Sequence, residues 1–173
     1  MNSNKNKKAL VLTDMESGWG PVLQQVTNIQ LENMLMIQSD GPVISHPYGD
    51  IMRSIVLAIY QENVEEIFVV GTKEKGTTSV HGQSPFDLVK DKIQTVDYLF
   101  QNCMPEFSGG TVKEWLNGNE NGTGQVEKSV KIIRHHPLVP AYVKVRGFMV
   151  NDRDGEISNV ELSQIEQLKQ RQA

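Results

Sequence analysis

The sequence has little cysteine, few aromatic residues and no long apolar run. Cys103 is the single cysteine among 173 residues. That count excludes an internal disulfide framework, and it excludes a site that takes two cysteines from one chain, such as most structural zinc sites. The apolar run 9–12 is cut short by Thr13 and Asp14, so it is too short for a signal-peptide core or a membrane span. We therefore expect a cytoplasmic protein without membrane insertion.

The chain also lacks a strong charge of either sign. Lys and Arg number 17 and Asp and Glu number 21, for a net charge of −4. This balance argues against nucleic acid as the main partner. The composition, 38% hydrophobic and 22% charged, is that of a globular protein. The length predicts a single domain over residues 9–173 after a flexible, polar tail over residues 1–8.

Short apolar segments alternate with amphipathic ones along the chain. We expect strands over 9–13, 33–38, 66–71, 141–150 and 156–160, and helices over 22–31, 50–62 with Asp50 as the N-cap, 84–101, 111–116 and 125–135. This order predicts an α/β fold whose mostly parallel central sheet has about four parallel strands plus one antiparallel edge strand, flanked by helices. Ligands of such sheets bind beyond the carboxyl ends of the strands.

Two polar loops occupy that place, residues 14–20 after the first strand and residues 72–79 after the third. Solvated loop ends are the ordinary interpretation of such residues. The motifs around these loops favour a different interpretation, in which the loops form a site. Residues 11–18 resemble the first zinc motif of the β-class carbonic anhydrases, a strand followed by Cys-x-Asp-x-Arg. Residues 68–76 resemble the second, a strand followed by His-x-x-Cys-Gly.

Further segments resemble the same family in the same order. Residues 39–43 are similar to its Asn-Ala-Gly-Gly turn, and residues 52–55 to its Arg-Ser-Leu helix start. Residues 129–134 and 145–152 are similar to its final helix and strand. The resemblance spans residues 9 to 160 and is greatest to the short bacterial branch of the family. It implies the β-carbonic-anhydrase-like fold and a homodimer, for which Trp19, Met34, Met36 and Ile44 are candidate interface residues, although core burial is their ordinary role.

The resemblance fails at the zinc ligands. When the motifs are aligned, the three zinc-ligand positions of the family hold Asp14, Thr72 and Lys75. The positions of the family's Asp-Arg pair hold Glu16 and Gly18. The glycine that follows the last ligand position is the one motif residue that this chain retains, as Gly76. An aspartate can bind a metal, but threonine is a poor zinc ligand and a protonated lysine repels the ion. We therefore expect no metal and no cofactor, and a vestigial pocket to which we assign no catalytic residue.

The substitutions suggest what fills the vacated position. Zinc with two thiolates is formally neutral, and so is an aspartate with a lysine. We hypothesise an ion pair between Asp14 and Lys75 near Thr72, since a partly buried charge without a partner is costly. The charge partner of Glu16 is not decided by the sequence; Lys73, Lys75 and Arg53 are the candidates.

Three classes of function follow. The first is a carbonic anhydrase-like protein, inactive in CO2 hydration, with a binding or regulatory role linked to inorganic carbon or another small anion held by Lys73, Lys75 and Arg53. The second is a working enzyme: a carbonate dehydratase with a relocated metal on Asp14, Glu16 and His81, or a metal-free lyase or hydrolase that uses the Asp, Glu, Thr and Lys side chains of the pocket. A scaffold protein is a third class.

Overall fold

The computed structural model describes residues 8–14, 20–73, 89–102, 112–117, 122–151 and 154–162. The chain divides into two compact units. One contains residues up to Lys73 and from Gly122 onward, and the other contains Glu74–Asn121. The first unit holds the whole sheet. Whether residues 9–173 fold as a single domain stays a prediction.

The sheet confirms the predicted fold class. Its five strands are β1 (Ala9–Asp14), β2 (Met34–Ser39), β3 (Glu66–Thr72), β4 (Lys144–Val150) and β5 (Ile157–Val160). Their order is β2-β1-β3-β4-β5, with parallel pairing from β2 to β4 and antiparallel pairing of β5 on β4. The carboxyl ends of β1, β2 and β3 therefore meet at one edge of the sheet.

Among the described residues, three helices accompany the sheet: α1 (Gly20–Thr27), α2 (Asp50–Gln61) and α5 (Gly122–His135). One face of the sheet packs on α2 and α5, where Leu12, Ile55 and Val130 are buried in a common core. The other face buries Val11 and Phe68 against Leu23 of α1. Each such aliphatic side chain contributes roughly 1.5–3 kcal/mol when fully buried. The apolar runs in the strands are thus buried on both faces, as expected for parallel strands.

Two glycines let α5 approach the sheet closely. A Cβ atom placed on Gly71 of β3 or on Gly147 of β4 would lie 2.7 Å from a methyl group of Val126. No side chain fits in that space without displacing the helix. The first turn of α5 consequently reaches the carboxyl end of β3, where a Cβ on Gly122 would lie 3.1 Å from the carbonyl oxygen of Thr72.

Several predicted boundaries differ from the structure. Gly49 is the N-cap of α2, and Asp50 is the first helical residue, so the prediction of Asp50 as the cap is wrong. Its carboxylate still favours the helix because it lies at the positive end of the helix dipole. Helix α5 begins at Gly122, three residues before the start of the helix predicted over 125–135. The strand predicted over 141–150 begins only at Lys144, after a turn.

The second unit contributes two described helices, α3 (Ile93–Asn102), preceded by a 3₁₀ turn over Lys90–Lys92, and α4 (Val112–Asn117). The 3₁₀ turn interrupts the continuous helix predicted over 84–101, whose first residues, 84–88, lie outside the described chain. The Asp97 carboxylate accepts the backbone N–H of Val112 at 3.0 Å. In the described chain, no helix is long and apolar enough to cross a membrane.

Candidate functional site

Asp14 stands at the centre of the carboxyl edge of the sheet. It is the last residue of β1, and only 3% of its surface is exposed. Its Oδ1 atom accepts the backbone N–H of Gly41 at 2.8 Å, and its Oδ2 atom accepts the hydroxyl of Thr72 at 3.4 Å. One carboxylate thus connects three segments: the end of β1, the turn after β2 and the end of β3.

The turn that Asp14 holds is built around a glycine. Gly41 has a φ of +78°, a conformation that a residue with a Cβ rarely adopts. Its carbonyl oxygen accepts the Ser39 hydroxyl at 2.6 Å and the Val43 N–H at 2.8 Å. Because both peptide groups of Gly41 are bonded, the turn has a fixed shape beside the Asp14 carboxylate.

Ser129 of α5 fixes the next residues of the same segment. Its buried hydroxyl donates to the Pro42 carbonyl oxygen at 2.8 Å and accepts the Ile44 N–H at 3.0 Å. This role of Ser129 was not predicted. A signal was present, since Ser129 lies between the buried Val126 and Val130, and a serine within a buried apolar stripe requires internal hydrogen bonds.

The structure brings together two of the predicted pocket residues, Asp14 and Thr72. Thr72 is buried at 6% exposure. Lys73 follows it at the surface, with its backbone N–H bonded to the Val150 carbonyl oxygen at 2.9 Å. Arg53 is exposed on the first turns of α2, and neither Lys73 nor Arg53 forms an ion pair with another described residue. The predicted residues Glu16, Lys75, Gly76 and His81 lie outside the described chain, as does Cys103.

The donor set at the edge of the sheet does not fit the zinc site of the family. Of the three ligand positions in the motifs, the two that are described hold a carboxylate and a hydroxyl, and the two groups are bonded to each other. Zn²⁺ sites of this type require thiolate and imidazole ligands. Across the ranges that the structure describes, no three His, Cys, Asp or Glu side chains form a group that could hold a metal ion.

Thr13 behaves differently from its neighbour. Its side chain alternates to the face of the sheet opposite Asp14. The residue is 1% exposed, and its hydroxyl oxygen has no hydrogen-bond partner in the described structure. A buried hydroxyl without a partner costs about 1–3 kcal/mol. Consecutive residues at the end of β1 therefore differ: both carboxylate oxygens of Asp14 accept hydrogen bonds, whereas the Thr13 hydroxyl has no partner in the described structure.

A parallel sheet ordered β2-β1-β3-β4 with an antiparallel β5, and polar residues at the carboxyl ends of β1 and β3, is the architecture of the β-carbonic anhydrases. The crystal structure of the β-carbonic anhydrase isoform I of Trichomonas vaginalis has the same fold, with a TM-score of 0.64 and 18% identity over 91% of this chain and 85% of that one. A tetrameric β-carbonic anhydrase of Sordaria macrospora matches with a TM-score of 0.54 and 13% identity over 90% and 81% of the two chains.

Sequence relatives give the family. The chain is 62% identical over 165 residues to the "Putative carbonic anhydrase-like protein YbcF" of Bacillus subtilis, covering 95% of this chain and 93% of the relative. It is 30% identical over 155 residues to the "Putative carbonic anhydrase YvdA" of the same organism, covering 90% and 77%. No protein-family model matches the chain. The chain belongs to the β-carbonic anhydrase-like family.

Proposed function

We propose that this protein is a member of its family that does not hydrate CO2, and that it acts by binding a small inorganic anion. The observation that carries the proposal is the buried Asp14 carboxylate, which accepts hydrogen bonds from Gly41 and Thr72 where the family motif has a zinc-bound cysteine. These bonds join the strand ends directly, so the edge of the sheet is held together by protein groups.

The chemistry of the reaction supports the loss of activity. Zinc lowers the pKa of its bound water to about 7 and so supplies hydroxide at neutral pH. A carboxylate and a hydroxyl provide no such Lewis acid. An ion pair between Asp14 and Lys75 would complete the replacement of a neutral metal centre by a neutral pair of side chains. This pair stays a prediction, because Lys75 lies outside the described residues.

Stopped-flow measurement of CO2 hydration tests the proposal. We expect the rate with protein to equal the buffer rate, before and after dialysis against Zn²⁺. Activity well above background would instead favour the second candidate function, an enzyme with a relocated metal or a metal-free pocket. The triple variant Asp14→Cys, Thr72→His, Lys75→Cys is the matched control. It restores the three ligand types and should bind zinc, even if Glu16 and Gly18 leave it slow.

The anion proposal depends on exposed cations near the carboxyl edge. Lys73 follows β3 directly, and its exposed ammonium group raises the local concentration of anions. Titration of bicarbonate while following backbone amide shifts is the test. We expect shifts at residues 39–43 and 72–73, and their loss in Lys73→Gln. Lys144→Gln is the matched control, because the exposed Lys144 begins β4 at the opposite end of the sheet. An absence of shifts at millimolar bicarbonate would contradict the anion role.

We also propose a homodimer. The Sordaria macrospora β-carbonic anhydrase is tetrameric, so self-assembly occurs on this fold. Of the candidate interface residues, Met34 and Ile44 are buried in the core, Met36 is 50% exposed on β2, and Trp19 lies outside the described chain. Light scattering coupled to size exclusion should give twice the mass of 19.4 kDa; a monomeric mass would contradict the dimer. A cytoplasmic location stays a prediction.

A further inference from the structure

A polar cleft lies at the amino end of the sheet, opposite the edge that carries Asp14. Its volume is about 370 Å³, at the small end of the range for ligand-binding pockets. Its walls are formed by Lys8, Asn33, Gln61, Glu62 and Asn63. Each of these side chains ends in an ammonium, a carboxylate or a carboxamide, so the lining can both donate and accept hydrogen bonds. The cleft therefore suits a small, strongly polar molecule.

The parallel pairing of the first two strands places two of these side chains side by side. Ala9 of β1 pairs with Met34 of β2, so the residues that precede them, Lys8 and Asn33, are neighbours at the start of the strands. Side chains alternate between the two faces of a strand, and Leu10 faces the core that contains α2. Lys8 is two positions before Leu10, so it extends from the same face toward the end of α2.

The end of α2 supplies the other three side chains. Gln61 is the last residue of this 12-residue helix, Glu62 is its C-cap, and Asn63 follows with a φ of +55°. Asparagine is one of the few residues with a side chain that adopts this left-handed conformation readily. The chain turns there, and the N–H of Val64 donates to the carbonyl oxygen of Ala58 at 3.4 Å. The turn thus sets three consecutive polar residues around the carboxyl end of the helix.

The cleft has a negative pole and a positive pole. The dipole of α2 has its negative end here, and the Glu62 carboxylate adds to it. The Lys8 ammonium is the positive pole, and it forms an ion pair with Glu62. The side chains of this pair are 43% and 45% exposed, and an ion pair so open to water adds little to stability. A ligand that carries both charges can therefore replace this ion pair with two of its own at little cost.

We propose that this cleft binds a small zwitterion of the amino-acid class. The ligand carboxylate pairs with Lys8, and the ligand ammonium pairs with Glu62 at the negative end of α2. The three carboxamides of the lining bond to the polar groups of the ligand side chain. A singly charged molecule engages one member of the ion pair and separates it from the other, and a neutral polyol bonds only to the carboxamides. The proposal does not depend on anion binding near Asp14, because the two sites lie at opposite ends of the strands.

Titration of the full chain with L-glutamine, followed by backbone amide shifts, tests the proposal. L-Glutamine carries both charges and a carboxamide side chain. We expect saturable shifts at residues 8, 33 and 61–64, and none at residues 39–43 and 72–73, where we expect bicarbonate to act.

Two variants and a matched control test the charged poles. Lys8→Gln and Glu62→Gln should each weaken the binding of L-glutamine by about tenfold or more, because each removes one charge-assisted hydrogen bond. Glu32→Gln is the control, because Glu32 is exposed on the 3₁₀ turn Leu31–Asn33 and is not one of the residues that line the cleft. This variant should bind L-glutamine as the wild type does.

Three further solutes, compared at equal ionic strength, separate a zwitterion from simpler occupants. Acetate carries only the negative charge, n-propylammonium carries only the positive charge, and glycerol carries neither. We expect each to bind at least about tenfold more weakly than L-glutamine. Equal affinity for any of the three would overturn the assignment of a zwitterion. An absence of shifts at tens of millimolar L-glutamine, or equal affinity in the wild type, Lys8→Gln and Glu62→Gln, would overturn the site itself.

Discussion

The stretch of chain between β2 and α2 is fixed at its two ends by opposite kinds of chemistry. At the Gly41 end, a buried carboxylate accepts a backbone N–H and a threonine hydroxyl. At the Tyr48 end, two imidazoles accept backbone N–H groups and enclose an aromatic ring. The first attachment uses a carboxylate as the acceptor, and the second combines imidazole acceptors with ring packing.

This difference shows two ways in which one segment of chain is attached to its neighbours. The Asp14 carboxylate holds the turn through its 2.8 Å bond from the Gly41 N–H, and a buried hydrogen bond to a charged group is worth about 1.5–3 kcal/mol. The 3.4 Å bond from Thr72 is longer and contributes less. The imidazole attachment depends on ring packing and on backbone N–H groups that donate to imidazole nitrogens.

The largest expected effect comes from removing the carboxylate. Asp14→Ala leaves the Gly41 N–H without this acceptor in a buried position and should lower the free energy of unfolding by about 2–3 kcal/mol. Asp14→Asn keeps one carbonyl oxygen that can accept the Gly41 N–H, so it should lower the free energy of unfolding by less. Urea unfolding of the two variants measures the effect. Equal and small losses in both would show that the carboxylate is not the attachment we describe.

Ser129 lies between the two ends and should give an intermediate effect. Ser129→Ala removes the buried hydroxyl that bonds to both Pro42 and Ile44, and we expect a loss of about 1–2 kcal/mol. Ser54→Ala is the matched control, since the exposed Ser54 hydroxyl bonds only to the carbonyl oxygen one turn before it, and it should change stability by less than about 0.5 kcal/mol. If both variants lose the same amount, Ser129 does not fix the segment.

Thr13 lies on the opposite face of the sheet from Asp14, and we expect its replacement to raise the free energy of unfolding, whereas the variants above lower it. Its hydroxyl is buried without a partner, whereas that of Thr72 bonds to Asp14. Thr13→Val should raise the free energy of unfolding by about 1 kcal/mol, because a methyl group replaces an unsatisfied oxygen. Thr72→Val should lower it by a smaller amount, since its bond is long. Thermal unfolding of both variants measures the sign of each change. A destabilised Thr13→Val variant would mean that the Thr13 hydroxyl makes a stabilising hydrogen bond.

The strands were predictable because their signal is local. Uninterrupted apolar runs at 9–12 and 67–70 indicate strands buried on both faces, and the structure has β1 and β3 there. The end of each strand then places Asp14 and Thr72 at one edge of the sheet. Their hydrogen bond was accessible to sequence reasoning only through the family motifs, which bring the two loops together.

The remaining contacts depend on packing across long separations in sequence. Ser129 bonds to residues more than 80 positions away, and no local pattern states which loop it meets. The contact between Tyr48 and His136 also joins residues far apart in sequence. The adjacent histidines 135 and 136 at the end of a helix gave no indication of which one would be buried. The Gly49 cap was missed for a local reason: both Gly49 and Asp50 are acceptable N-cap residues, and the prediction chose Asp50.

The most direct test of the account is the zinc content of the wild-type protein after purification without chelators and dialysis against Zn²⁺. The account predicts far less than one zinc ion per chain by mass spectrometry, with stoichiometric zinc only in the Asp14→Cys, Thr72→His, Lys75→Cys variant. One tightly held zinc per wild-type chain, lost when Asp14 is replaced by alanine, would contradict it.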